Sequence, residues 1–136
     1  MALLARLLFP VPASTRTLPS IVGWWERRRL VYNVAVGAAG TVSLAAVNLL
    51  SALPPSPHPF GVPVGLIVVY GGLANLMYCS GWLVEAGFQR MWKEEVPQVG
   101  PVLYRYGLVF SVGLSLLPVV LGAIDWAARV VGYFFR

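Results

Sequence analysis

The sequence predicts an all-α integral membrane protein: a bundle of three transmembrane helices, with a short interfacial helix and a helical, aromatic C-terminal tail. Three observations predict it. Hydrophobic residues make up 58% of the chain and charged residues 11%, with a mean hydropathy of +0.74. A soluble domain averages roughly 25% charged residues, without which its surface would not stay solvated. Three stretches, 30–53, 62–84 and 102–124, carry no charged side chain except Arg105. Each reaches the about 20 residues that cross a hydrocarbon core of about 30 Å. Finally, Pro54, Pro55, Pro57 and Pro59 separate the first two stretches. A run of prolines cannot continue a helix, so the chain turns there at the membrane surface.

The remaining segments follow from the same logic. Residues 1–29 form a basic N-terminal arm. Its first residues, Met1 to Leu8, are apolar but too short to span, and Pro10 and Pro12 end them. They make a poor signal peptide: no basic residue precedes Arg6, and proline near a cut is unfavourable. The linker 85–101 mixes Phe88, Met91 and Trp92 with Arg90, Lys93, Glu94 and Glu95 up to Pro97. That mixture suits a short helix lying in the interface. The tail 125–136 reads as helical. Asp125 and Arg129 are spaced to pair, and Trp126, Tyr133, Phe134 and Phe135 suit headgroup depth.

Basic residues set the orientation, because Lys and Arg are retained on the cytoplasmic side. Arg6, Arg16, Arg27, Arg28 and Arg29 precede the first span, and Arg90, Lys93 and Arg105 surround the second linker. The first linker has none, and Arg129 and Arg136 fall in the tail. A cytoplasmic N-terminus therefore puts eight of the ten basic residues inside and the C-terminus outside. The net charge of +5 is then read as attraction to anionic lipid headgroups rather than to nucleic acid.

Helical period marks where each span meets something other than lipid. The first span carries Asn33, Gly37, Gly40, Leu44, Asn48 and Ser51 at steps of three or four. The second carries Gly71, Asn75, Tyr78, Trp82 and Glu85, and the third Tyr104, Gly107, Ser111, Ser115, Pro118, Gly122 and Asp125. Lipid offers an amide no hydrogen bond, so these faces are expected to turn toward protein. Asn33, Asn48, Asn75, Tyr78, Glu85 and Arg105 are the candidate polar interaction residues. Gly37, Gly40, Gly71, Gly107, Ser111 and Ser115 are the candidate helix-packing residues, since small side chains let backbones approach. Glu85, Arg105 and Glu26 to Arg29 are expected to form an ionic cluster at the inner headgroup layer, with Asn33, Tyr78 and Tyr104 adding hydrogen bonds. Pro118 removes a backbone bond inside the third span, where a kink is expected.

Several chemistries lack their residues. One cysteine, Cys79, and one histidine, His58, leave no intramolecular disulfide, no multi-cysteine metal site and no two-histidine metal motif. There is no glycine-rich phosphate loop and no HExxH. His58 and Glu85 fall on opposite sides of the membrane, so no acid, base and nucleophile converge. Neither enzymatic activity nor a cofactor or metal is expected. The expected function is that of a structural or accessory helix-packing protein or a subunit of a membrane complex, with a homo-oligomer or another membrane protein as partner. The alternative is an oligomeric small-solute or ion transporter or channel using Asn75 and Glu85.

Three motifs carry a resemblance. They are Trp25-Glu26-Arg27-Arg28-Arg29-Leu30-Val31-Tyr32-Asn33, Tyr70-Gly71-x-x-Ala74-Asn75-x-x-Tyr78-x-x-Gly81-Trp82-x-x-Glu85, and Tyr104-Arg105-x-Gly107-x-x-Phe110-Ser111. Together they resemble a group of small uncharacterised bacterial inner-membrane proteins, over residues 25–118. The resemblance implies similar spans and a place in the inner membrane. It implies no activity.

Overall fold

A computed structural model describes residues 17–58, 60–92 and 99–135. The described residues form three helices: α1 (Leu18–Ala52), α2 (Val64–Trp92) and α3 (Val99–Phe134). All three are long and apolar enough to cross a membrane. At 1.5 Å per residue they run about 52, 44 and 54 Å, so each overshoots the hydrocarbon. Large apolar side chains stand exposed along all three, among them Leu30, Leu66, Val109 and Phe110. Water would not tolerate so continuous an apolar surface, whereas acyl chains solvate it. The chain is an integral membrane protein.

α1 starts twelve residues before the first apolar stretch. Pro19 sits in its first turn, where the missing N–H is not needed, and no breaker follows before Pro54. Arg27, Arg28 and Arg29 therefore lie on a helix, while residues 1–16 of the expected arm fall outside the described residues. A separate interfacial helix is not what residues 85–92 form: they continue α2 to Trp92. Residues 93–98 lie outside the described residues. The tail from Asp125 continues α3 to Phe134, and α3 passes through Pro118 without ending.

Ring and side-chain contacts define the layout. Trp24 meets Tyr104 and Trp25 reaches Glu85 at one end; Trp126 reaches Pro54 at the other. α1 and α3 thus run side by side in the same direction, and α2 runs against them. α1 and α3 share the most extensive contact. The core gathers at the N-terminal end of α1, where Ile21, Trp24, Trp25, Tyr32, Val36, Tyr78 and Tyr104 are buried together. Its rings pack edge to face, with Trp24–Trp25 centroids 5.5 Å apart and Trp25–Tyr78 centroids 5.2 Å apart. Edge-to-face pairs place positive ring edges on negative faces and add about 0.5–1.5 kcal/mol each beyond burial.

The glycines most tightly covered by a neighbouring side chain are not the four named as helix-packing residues. A Cβ on Gly37, Gly40, Gly71 or Gly107 would meet nothing within 4 Å. Each of these four therefore borders open space in the bundle. A Cβ on Gly81 would instead come within 2.8 Å of Trp25 Cζ3, and one on Gly100 within 2.7 Å of Glu85 Cδ. Gly81→Ala and Gly100→Ala are each expected to destabilise the bundle by about 1–3 kcal/mol through overpacking. Gly107→Ala is expected to be neutral or to stabilise by up to about 1 kcal/mol. Reversible unfolding in mixed micelles would measure all three. A smaller Gly100→Ala penalty in a Glu85→Ala background would identify the carboxylate as the obstacle.

Candidate functional site

The junction at the core end is built on Glu85, the last polar position of the α2 stripe. Its side chain is 3% exposed. The Trp25 indole donates from Nε1 to Glu85 Oε2 at 2.7 Å. The carboxylate also lies against Gly100, in the first turn of α3, where the positive end of the helix dipole favours an anion. One carboxylate therefore ties α2 to α1 and sits against α3. A side chain at position 100 would compete with the carboxylate for this space, so the carboxylate would have to shift.

The surrounding residues complete the tie. The Tyr78 hydroxyl, about two turns from Glu85 along α2, donates to the Trp25 backbone carbonyl and holds α2 to α1 a second time. The Arg28 guanidinium stacks 3.7 Å from the Trp24 ring centroid and donates to the Trp24 carbonyl at 3.1 Å. A cation on an indole face is attracted by the ring quadrupole. Arg29 pairs with Glu26 at 2.9 Å and donates to Cys79 Sγ at 3.0 Å. Glu85 sits in an aromatic core, the Glu26–Arg29 pair lies at the rim, and Arg105 is exposed one residue beyond Tyr104. Tyr104, expected to supply hydrogen bonds, packs its ring on Trp24 and Trp25, and its hydroxyl has no hydrogen-bond partner among the described residues.

Further along the bundle, tyrosines and serines form the interhelical bonds. Tyr32 of α1 donates to the Ala74 carbonyl of α2 at 3.1 Å and accepts from Ser111 Oγ of α3 at 2.9 Å. Tyr70 of α2 meets Ser115 Oγ at 2.6 Å, and Ser115 donates to the Ser111 carbonyl at 2.8 Å. Ser111 and Ser115, singled out for small size, act here as polar partners. The asparagines behave differently. Asn75 donates to the Gly71 carbonyl at 3.0 Å and Asn48 to the Leu44 carbonyl at 2.8 Å, each four residues back on its own helix. Asn75 is half-buried, whereas Asn33 and Asn48 are exposed.

Between α1 and α2, with α3 as its floor, lies an open groove of about 590 Å³. Asn33, Gly37, Gly40 and Thr41 line it from α1; Tyr70, Gly71 and Asn75 line it from α2; Ser115 and Pro118 lie at its base. Glu85 is not among its lining residues. A second hollow of about 400 Å³ lies between α2 and α3, beside Tyr78, Gly107 and Ser111. Among the described residues no group of three or more His, Cys, Asp or Glu side chains is placed to hold a metal ion.

The other end is closed by Arg129. It pairs with Asp125 at 3.1 Å and donates to the carbonyls of Leu50 at 2.8 Å, Leu53 at 3.2 Å and Ser56 at 2.8 Å. Trp126 donates to the Pro54 carbonyl at 3.0 Å. The last carbonyls of a helix have no partner within it, so the α3 tail caps α1. The Asp125–Arg129 spacing was readable in the sequence; the capping carbonyls were not.

Compared with known proteins, the chain matches no family model, no curated protein and no solved structure.

Proposed function

We propose that this chain is a structural or accessory membrane protein that packs against another transmembrane helix, as a subunit of a membrane complex. One observation carries the reading. The α1–α2 groove holds Asn33, Gly37, Gly40, Thr41, Gly71 and Asn75, small and polar residues that the protomer's own packing leaves unused. Small residues let a further helix approach closely, and the amides give it hydrogen bonds. Purification in a mild detergent is expected to yield a stable homo-oligomer or a defined partner. Recovery of monomer alone, with Asn75→Leu tolerated, would contradict the reading.

The transport alternative gains no support from the placement of its two residues. Asn75 faces the groove, while Glu85 is enclosed by Trp25 and Gly100. A flux assay in liposomes decides the point, and solute transport lost in Glu85→Gln would overturn the preference.

The proposal includes a bacterial inner-membrane location, with the α1 N-terminus in the cytoplasm and the α3 C-terminus outside. Anionic headgroups would then meet the arginines near the core end. In a Cys79→Ser background, an impermeant maleimide added to intact cells is expected to label Ser56→Cys and not Gln89→Cys. The reverse pattern would invert the topology.

A further inference from the structure

We propose that the docked partner is a second copy of this chain, parallel and two-fold related, with the amide stripe of one α1 facing the same stripe of the other. The proposal rests on the helix-packing reading above and names the partner of that groove.

α1 has three distinct faces. Tyr32, Val36, Ser43 and Val47 are buried in the bundle. Ala38, Val42 and Leu49 are exposed and wholly apolar, as a lipid-facing surface requires. Between them runs a stripe in which Asn33, Gly37, Thr41 and Asn48 are exposed and half-buried Leu44 stands in line; all but Asn48, which lies just beyond, also line the groove. Thr41 and Asn48 donate only to their own helix, to the carbonyls of Gly37 and Leu44. Hydrocarbon supplies neither donor nor acceptor for what is left. At the inner, bundle-facing edge of the same groove Ser43 is 3% exposed, and its hydroxyl has no hydrogen-bond partner among the described residues.

Amide chemistry and membrane depth select the occupant. A primary amide is both donor and acceptor, so an amide meeting its own two-fold mate completes both. Every copy inserted in the same direction holds Asn33 and Asn48 at the same two depths, so the match comes with the sequence. A foreign helix would need matching polar groups at both levels. The empty Cβ positions at Gly37 and Gly40 leave room for a backbone to approach.

The test uses the full-length chain in its native membrane with Cys79→Ser. Single cysteines replace Gly37, Thr41 or Leu44 on the stripe, and Ala38, Val42 or Leu49 on the apolar face. Oxidation is expected to give homodimers at the stripe positions and several-fold less at the apolar ones, following helical period. Asn33→Leu with Asn48→Leu is expected to abolish the Thr41→Cys dimer. Equal yields on both faces would overturn the proposal. Stripe cysteines joined to a different protein would overturn the second copy and leave the accessory reading standing. No face-specific protein crosslink at any position would overturn both.

Discussion

Glu85→Ala is expected to destabilise the bundle by about 2–4 kcal/mol, the lost charge-assisted bond and the void it leaves acting together. The carboxylate accepts the Trp25 indole N–H at 2.7 Å and fills the space over Gly100. Its removal strands a donor among Trp24, Tyr78 and Tyr104, rings that exclude water. Glu85→Gln keeps an acceptor and most of the volume, so less than half that loss is expected. Reversible unfolding in mixed micelles reads both. If Glu85→Ala unfolded like the unaltered chain, the junction would not be what joins the three helices.

Arg129→Ala is expected to cost about 1.5–3 kcal/mol, the range for losing hydrogen bonds made by a charged group, here partly buried. The side chain is 13% exposed, and its guanidinium reaches three carbonyls at the end of α1 and in the proline turn. Arg129→Lys is expected to restore little, because one ammonium cannot place a planar fork of donors across three carbonyls. Asp125→Asn is expected to matter far less, since Asp125 is 56% exposed and its pair is screened. The same unfolding assay applies, and amide exchange at Leu50 to Ser56 localises the effect. Faster exchange there in Arg129→Ala, with the Trp25 end unchanged, is the expected result.

The helices were legible in the sequence because length and apolarity alone decide them. The bonds between helices were not. Period places Glu85, Ser111 and Ser115 on inward faces, but it leaves open how far each helix is rotated against its neighbours. That rotation pairs Ser111 with Tyr32 and Ser115 with Tyr70. Tryptophans collect at membrane interfaces, so nothing in the sequence marks Trp25 as buried. Its burial against Glu85 depends on α1 remaining helical from Leu18, and the signal for that was Pro19 followed by no breaker. Gly81 and Gly100 were indistinguishable from the other glycines, since close approach depends on the facing side chain. Arg129's capping role depends on the tail staying helical and on where the proline turn lies, and neither is a local property.

A double-mutant cycle on Trp25→Phe and Glu85→Leu tests the three-helix junction most directly, because each change removes one partner of the indole–carboxylate bond and keeps an apolar side chain in its place. The predicted coupling is about 1–2 kcal/mol, at or above the upper end found between transmembrane helices. Strictly additive single losses, with no coupling, would contradict a bundle drawn together at this carboxylate.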